Sequence, residues 1–192
     1  TAVSGCPVCC PARSSLLSGQ YPDRHGVFVN DVCLNNDAVS IAESFFKDGY
    51  DTAYIGKWHV DGHGRQSYVP PEGRHGFKTF RALECTHDYN NSLYYADNEE
   101  NLLQWKGYDA TAQTIEAQQF IINHSGSRKR SPFFMMLSWG PPHNPYDTAP
   151  DKYCREFSPE NIQLRPNVPN EIADKVRKDL AGYYAHILAL DN

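Results

Sequence analysis

Three short segments of the sequence carry residues whose types and spacing could do chemistry. In the first, Cys9 is followed by Pro11 and Arg13. Proline is favoured in the first turn of a helix, so Cys9 is expected at a helix N-terminus, where free N–H groups and the helix dipole stabilise an anion or a negatively charged transition state. Arg13 lies about one helical turn further on, so its guanidinium can fold back toward Cys9. This spacing predicts an activated nucleophile at Cys9.

Two further segments carry lysine and histidine side chains. Lys57 and His59 follow the short apolar run 52–55, and His143 follows the apolar run 133–137. In open α/β sheets, ligands bind beyond the carboxyl ends of the strands, and the three side chains are expected to converge there. Cationic groups that meet in one crevice donate to charged oxygens and offset their desolvation. The spacing therefore predicts a site for an oxyanion.

The elements that must position these residues follow from the apolar periodicity. One helix is predicted to open at Asp37 and to end at Gly49, and a second runs through residues 110–121. A last helix is predicted from about 172 to 190, and the segment 62–103 is predicted to be rich in loops. Strands that are apolar throughout and alternate with helices indicate a mostly parallel sheet covered by helices on both faces. The predicted fold class is therefore α/β.

The first segment resembles the signature of the sulfatase family. The family pattern is Cys-x-Pro-Ser/Ala-Arg, then Leu-Leu-Thr/Ser-Gly and Tyr-Pro, and residues 9–22 match it in order. Gly-Lys-Trp-His at 56–59 and Pro-His-x-Pro at 142–145 look like two further blocks of the family, which makes the joint match specific. The resemblance extends from about Val3 to the last residue. It implies an alkaline-phosphatase-like α/β sandwich, in which residues 1–192 form a partial catalytic domain without its N-terminal strand and its C-terminal part.

The resemblance also implies a chemical role for each candidate residue. Cys9 would be oxidised to formylglycine by a formylglycine-generating maturation enzyme, and the hydrated aldehyde would supply the oxygen that attacks the sulfur of a sulfate ester. Arg13 would stabilise the hydrate, and Lys57 and His143 would bind the sulfate oxygens of the substrate. His59 would hydrogen-bond the hydrate and shuttle protons. The implied activity is that of a sulfuric ester hydrolase.

Sulfatases also hold a divalent cation, usually calcium, between formylglycine and four Asp or Asn side chains. In this chain, Cys9 as formylglycine is the one metal ligand that the resemblance implies, and the other ligands and a second catalytic lysine are expected outside the chain. Asp191 and Asn192 resemble part of that ligand set, but they continue a helical pattern and are predicted to be structural. Cys10 is expected to remain a cysteine, because the spacing to the proline and the arginine fits only from Cys9.

Composition and charge exclude several classes of partner. The chain has 18 basic and 23 acidic side chains, a net charge of -5, and one short basic run, Arg128-Lys129-Arg130. Nucleic acid is therefore not an expected partner. The longest apolar run, 133–137, is far shorter than the roughly 20 residues that span a bilayer, so no membrane span is expected. Family habit favours a secreted, periplasmic or lysosomal compartment, and the six cysteines are compatible with it.

Several questions stay open at the level of sequence. A relative with the same cysteine motif could cleave a phosphonate or phosphate ester, or could bind sulfated glycans without turnover. His87 follows the Lys57 block at a distance where some relatives place a further polar residue of the active site. The segment 62–105 is rich in Tyr, His, Asn and Asp, which favours a sulfated carbohydrate over a steroid or lipid sulfate, because rings stack on sugars and polar groups bind hydroxyls. An ordinary polar surface loop would have a similar composition.

Overall fold

The computed structural model describes residues 3–127 and 131–192, so the basic run Arg128-Lys129-Arg130 lies outside the described residues. Within these ranges, no helix combines the length and the apolar character needed to cross a lipid bilayer. The helices are α1 (Cys9–Ser18), α2 (Pro22–His25), α3 (Ile41–Lys47), α4 (Asp109–Gly126), α5 (Asp151–Cys154) and α6 (Ala173–Asp191). The strands are β1 (Asp51–Lys57), β2 (Thr79–Leu83), β3 (Leu93–Ala96), β4 (Leu103–Gln104) and β5 (Phe133–Ser138).

The five strands form one sheet in the order β4-β3-β2-β1-β5. Strand β1 pairs in parallel with both β2 and β5, whereas β3 pairs antiparallel with β2 and with β4. The central part of the sheet is therefore parallel, as predicted, and the β3–β4 side makes the whole sheet mixed. In register, Lys57 is opposite Leu83, and Gly56 is opposite Ser138. The carboxyl ends of β1, β2 and β5 consequently meet at one edge.

Helices cover both faces of the sheet, which confirms the predicted α/β architecture. Tyr54 and Ile55, neighbours on β1, belong to different apolar clusters, as the alternation of side chains along a strand requires. Tyr54 lies in the cluster that contains Ala42 of α3, and Ile55 lies in the cluster that contains Ala117 of α4. Trp58, which directly follows β1, is fully buried with Tyr54. The apolar core thus reaches to the end of the strand that carries Lys57.

The start of α3 differs from the prediction. The helix begins at Ile41 rather than at Asp37, because Ser40 is its N-cap and the Ser40 hydroxyl accepts a hydrogen bond from the Glu43 amide at 3.0 Å. Asp37 lies in a preceding turn, where its amide donates to the Asn35 side chain at 3.1 Å. Both residue types can cap a helix, and the turn at Asn35 decides which of them does so here.

The segment 62–103 contains more regular structure than the predicted loops. It includes β2 and β3, of five and four residues, and β4 begins at its end. These strands are short and of mixed polarity, and they exist because β1 offers a partner on which β2 can pair. The predicted helices at 110–121 and about 172–190 are confirmed as parts of α4 and α6. The predicted strands 52–55 and 133–137 are likewise confirmed as parts of β1 and β5.

Candidate active site

Cys9 and Cys10 are neighbours with different surroundings. Cys9 is the first residue of α1 and is partly exposed, as the position of Pro11 predicts. Cys10 is 1% exposed, and its amide donates to the Asn30 side chain at 3.0 Å. Burial raises the pKa of the Cys10 thiol. The geometry therefore leaves Cys9 accessible at a helix N-terminus and encloses Cys10 in the core.

Lys57 meets Cys9 at the end of strand β1. Its Nζ lies 3.9 Å from the Cys9 Sγ, although the residue as a whole is 7% exposed. The Lys57 carbonyl accepts hydrogen bonds from the Tyr54 hydroxyl at 2.5 Å and from the Arg13 guanidinium at 2.6 Å. The main chain of Lys57 is thus fixed from two sides, which holds its ammonium group beside the helix N-terminus.

Arg13 connects helix α1 to the ends of two strands. Besides the Lys57 carbonyl, its Nη1 donates to the Ser138 hydroxyl at 2.9 Å and to the Tyr54 hydroxyl at 3.3 Å. Ser138 is the last residue of β5, and Lys57 is the last residue of β1. Through its Nη1, the guanidinium therefore joins three elements at the predicted crevice.

His59 lies two residues beyond β1 in the left-handed region, with φ of 57°. Its Nε2 and the Asp31 Oδ1 are 3.1 Å apart, and its Nδ1 is buried without a hydrogen-bond partner among the described residues. Burial is the main cause that lowers the pKa of His59, with Lys57 and Arg13 acting in the same direction and Asp31 opposing them. His59 is 2% exposed, so solvent screens the effect of these charges only weakly.

Asp31 was not among the residues that the sequence singles out. Arg65 binds its carboxylate with two nitrogens, Nε at 3.1 Å and Nη2 at 3.0 Å. Arg65, followed by His59, lowers the pKa of Asp31 to about 2. Asp31 comes from the segment after α2, and Arg65 comes from the segment after β1. No local spacing in the sequence could have joined them.

Glu84 supports the loop that carries His59. Its buried carboxylate accepts hydrogen bonds from the amides of Val60, Asp61 and Gly62 at 3.1 to 3.3 Å. Burial is the largest cause that raises the pKa of Glu84. Three consecutive amides held by one carboxylate fix the chain directly after His59. No local pattern predicts this role, because strand β2 separates Glu84 from the loop in the chain.

His143 lies in the loop after β5, as predicted, and is stacked on His87. The two imidazole rings are 4.6 Å apart between centroids and 7° from parallel. The His143 Nδ1 donates to the Asn144 carbonyl at 2.8 Å, which leaves Nε2 available. Burial, followed by the charges of Lys57 and His143, lowers the pKa of His87. The structure therefore brings His87 to the predicted site residue His143.

Buried polar groups hold this second loop in place. The Tyr89 hydroxyl donates to the Asn144 carbonyl at 3.1 Å, and the His186 Nε2 donates to the Pro145 carbonyl at 3.3 Å. The Tyr108 hydroxyl, in turn, donates to the His186 Nδ1 at 2.7 Å. His186 is fully buried, so this chain of hydrogen bonds lies inside the protein.

The aromatic side chains of segment 62–105 are mostly unavailable to a ligand. Tyr89 is fully buried and Tyr95 is 9% exposed, while Tyr94 is stacked on Trp105 with 3.8 Å between ring centroids. The expectation that these rings stack on sugars is therefore wrong for Tyr89 and Tyr95, because the core takes up their apolar faces. Asp88, which follows His87 in the chain, is exposed and polar.

The described residues do not by themselves form a calcium site. In the ranges 3–127 and 131–192, no group of three or more His, Cys, Asp or Glu side chains is arranged to hold a metal ion. The Asp31 carboxylate is already bound by Arg65 and His59. Asp191 ends α6, and the Asn192 side chain donates to the carbonyl of Leu188, so this pair completes a helix end. No chemical step is therefore assigned to the cation that the family resemblance implies.

Comparison with known proteins identifies the family. The Sulfatase family model matches residues 1–192. The chain is 43% identical over 190 residues to an ulvan-active sulfatase of Formosa agariphila, covering 99% of this chain and 37% of that protein. It is 29% identical to an endo-4-O-sulfatase of Bacteroides thetaiotaomicron, covering 100% of this chain and 43% of that protein.

A solved structure matches the fold of this chain over its whole length. It comes from a Bacteroides thetaiotaomicron genetic locus for the metabolism of multiple glycosaminoglycans, with a TM-score of 0.87 and 28% identity. The match covers 100% of this chain and 45% of that one. The chain thus spans less than half the length of each of these three relatives. The chain belongs to the sulfatase family, with the alkaline-phosphatase-like α/β fold.

Proposed function

We propose that this chain supplies the nucleophile and part of the sulfate-binding pocket of an enzyme that hydrolyses sulfate esters of carbohydrates. The observation that carries the proposal is the approach of the Lys57 Nζ to 3.9 Å from the Cys9 Sγ, at a helix N-terminus. The Lys57 ammonium beside Cys9, at the positive end of the helix dipole, makes a place for a group that becomes negatively charged. Membership of the sulfatase family supports the same chemistry.

In this proposal, Cys9 acts after oxidation to formylglycine by a maturation enzyme, and its hydrated aldehyde then supplies the oxygen nucleophile. Lys57 binds a sulfate oxygen next to that nucleophile and offsets the charge that develops there. Arg13 keeps Lys57 in place through the Lys57 carbonyl and adds a positive charge at the strand ends. Because both cations are fixed before substrate binds, little reorganisation is needed during the reaction.

The two histidines have separate tasks in the proposal. The Nδ1 of His59 is buried and has no hydrogen-bond partner among the described residues. In the proposal, this nitrogen exchanges a proton with the nucleophile or with the leaving alcohol. His143 presents its Nε2 to a sulfate oxygen, because its Nδ1 is already bound to the Asn144 carbonyl. The sulfate group is then held between Lys57 and His143.

A carbohydrate is the proposed carrier of the sulfate group. The relatives include an ulvan-active sulfatase and an endo-4-O-sulfatase, and polar side chains such as Asp88 and Arg65 surround the site. Hydroxyl groups need such donors and acceptors, whereas a steroid needs a mostly apolar pocket. With this substrate class we propose a secreted, periplasmic or lysosomal location, since sulfated polysaccharides are found outside the cytosol.

The test uses the full-length protein, expressed together with a formylglycine-generating enzyme. Peptide mass mapping is expected to find the aldehyde and its hydrate at Cys9 and an unmodified thiol at Cys10. An aryl sulfate and sulfated oligosaccharides are expected to be hydrolysed, and aryl phosphodiesters and phosphonates much more slowly. Cys9→Ala should abolish turnover, while Cys33→Ser, at an exposed cysteine, should leave it unchanged.

Three outcomes would contradict the proposal. Active enzyme with an unmodified Cys9 thiol would rule out the nucleophile. Faster hydrolysis of the phosphodiester or the phosphonate would assign the protein to the alternative class of esterases. Tight binding of a sulfated oligosaccharide by fully modified protein without any hydrolysis would identify a glycan-binding relative instead of an enzyme.

A further inference from the structure

Arg65, Asp31 and His59 form a continuous network of hydrogen bonds that joins the segment after α2 to the segment after β1. Arg65 binds the Asp31 carboxylate with two nitrogens, and the Asp31 Oδ1 lies 3.1 Å from the His59 Nε2. Asp31 is half exposed, whereas His59 is 2% exposed. The network therefore leads from the surface into the buried ring.

The chemistry of the partners determines which nitrogen of His59 carries the proton. An ionised carboxylate can only accept hydrogen bonds, and Arg65 keeps Asp31 ionised by holding its pKa far below neutral. The His59 Nε2 must consequently carry a proton, and its N–H donates a hydrogen bond to the Asp31 carboxylate. In the neutral ring, Nδ1 then has the free lone pair, and this is the buried nitrogen that has no partner among the described residues.

The main chain at both residues is held in an uncommon conformation. Asp31 has φ of 62° and His59 has φ of 57°, both in the left-handed region that costs energy for most residues other than glycine. Asp31 is further fixed by its amide, which donates to the Cys10 Sγ at 3.2 Å. The main chain on both sides therefore holds Asp31 and His59 in contact.

We propose that Asp31, held by Arg65, is a positioning residue that fixes His59 in the tautomer with its proton on Nε2 and its free lone pair on Nδ1. In that state, Nδ1 can accept a proton from a hydroxyl group in the site. The effect on turnover rests on the proposed sulfatase function, whereas the tautomer itself does not. Comparable carboxylate–histidine pairs orient the base in hydrolases of unrelated fold.

The main test is Asp31→Asn in the full-length, formylglycine-containing protein. Asparagine tolerates the left-handed conformation, so the main chain is retained. If its oxygen stays at the former Oδ1 position, beside the His59 Nε2 and the Arg65 Nε, its NH₂ group faces the Arg65 Nη2; in the opposite orientation, the NH₂ group faces the His59 Nε2 and the Arg65 Nε. In both cases the negative charge that holds the two donors is lost. We expect a drop in kcat by about 10- to 100-fold, smaller than the roughly 10⁴-fold loss for a buried triad carboxylate because Asp31 is half exposed. The acidic limb of the pH profile should shift to lower pH, since Asp31 is the group that opposes Lys57 and Arg13 at His59.

A second measurement is independent of activity. In protein with ¹⁵N-labelled histidine, and with His59→Gln to assign the signal, the wild-type ring should show a protonated Nε2 and an unprotonated Nδ1 above the pKa of His59. Asp31→Asn should change this tautomer distribution. The matched control is Asp97→Asn, because Asp97 also has a positive φ, 48°, and pairs with an arginine, Arg81, at 3.5 Å. It should change neither the tautomer nor kcat.

The outcomes separate the two levels of the proposal. A wild-type enzyme without sulfatase activity would reject the proposed function, and the tautomer measurement would still decide the role of Asp31. An unchanged tautomer in Asp31→Asn, or a wild-type ring with its proton on Nδ1, would overturn the inference. A loss of kcat that is matched by Asp97→Asn would also overturn it, since the effect would then be one of general stability.

Discussion

At the scale of single residues, the side chains of the candidate site are held in place by hydrogen bonds and ring contacts with their neighbours. The Lys57 ammonium lies beside Cys9 because the Lys57 carbonyl is bound by Tyr54 and Arg13. His143 is oriented by the Asn144 carbonyl and by the ring of His87. Positioning and charge are therefore separate contributions that mutations can distinguish.

Replacing the proposed sulfate ligands tests the charge contribution. Lys57→Ala and His143→Ala are each expected to lower sulfate-ester turnover by roughly 10²- to 10³-fold, the scale of losing one preorganised oxyanion donor. Steady-state kinetics of the full-length enzyme measure the effect, and Lys106→Ala, at an exposed lysine, is the control. Full activity in either variant would place the sulfate group elsewhere.

His87 tests the positioning contribution. His87→Ala removes the ring that stacks on His143, and a stacked pair contributes about 0.5–1.5 kcal/mol, so kcat/KM should fall by about 2- to 10-fold. His87→Phe keeps a flat ring and should restore most of the loss. A decrease of kcat/KM in His87→Ala as large as that in His143→Ala would show instead that His87 itself binds the sulfate group.

At the scale of elements, the crevice exists because two parallel strands end side by side. Gly56 on β1 has φ of 110°, and a Cβ at this position would lie 2.2 Å from the Ser138 carbonyl oxygen of β5. Only glycine allows this close approach of the two strands, and the approach brings Ser138 within reach of Arg13. The strand pair and the arginine bridge are thus parts of one arrangement.

Gly56→Ala should separate β1 from β5 at this point. We expect a loss of about 1–3 kcal/mol in the free energy of unfolding from the forced overlap and the strained φ, together with reduced turnover. Thermal unfolding of the full-length protein measures it. Gly107→Ala is a matched control, because Gly107 also has a positive φ, 73°, but no atom lies within 4 Å of a Cβ placed there. Equal losses in the two variants would mean that strain alone accounts for the effect.

The first residue of α4 provides a prediction about pH. Asp109 is 1% exposed, and burial raises its pKa from 3.8 to about 7. A carboxyl whose pKa is higher in the folded state binds its proton more tightly there, so the free energy of unfolding should fall as pH rises from about 4 to about 7. Asp109→Asn should remove this decrease and be more stable relative to wild type at pH 8 than at pH 4.

Thermal midpoints across this pH range check the prediction. Asp179→Asn, at a more exposed carboxyl paired with Lys175 on α6, is the control. A constant difference between wild type and Asp109→Asn at all pH values would show that folding does not raise the pKa of Asp109.

At the scale of the whole molecule, a chain with a net charge of -5 places several cations close together at one edge of the sheet. Lys57, Arg13 and Arg65 lie there, and the charge of Lys57 acts on both His59 and His87. A positive crevice on an acidic protein selects anionic ligands and raises their local concentration. This distribution supports a sulfated substrate without specifying its carrier.

The carrier is tested by parallel assays of the mature full-length enzyme. Sulfated oligosaccharides are expected to have a higher kcat/KM than steroid sulfates, because the accessible side chains near the histidine pair are polar and the nearby aromatic rings are buried. An aryl sulfate serves as the reference for the reactivity of the site itself. A higher kcat/KM for the steroid sulfate would contradict the carbohydrate proposal.

Local sequence was sufficient for the longer elements and for the places of the candidate site residues at their ends. Apolar periodicity predicted β1, β5, α4 and α6, because a segment buried on one or both faces must repeat apolar residues at the period of its backbone. The positions of Cys9, Lys57 and His143 followed as well, since each lies directly at the end or the start of such an element. Short-range rules are enough where a residue and the element that positions it are adjacent in the chain.

Tertiary structure decided everything that depends on contacts between distant segments. The pairing of β2 with β1, the stacking of His87 on His143 and the network from Arg65 through Asp31 to His59 join residues from different elements. It also decided that Tyr89 and Tyr95 belong to the core rather than to a sugar site. Such contacts arise only when the whole sheet has formed, because their free energy comes from burial and pairing between segments and not from the local preference of either one.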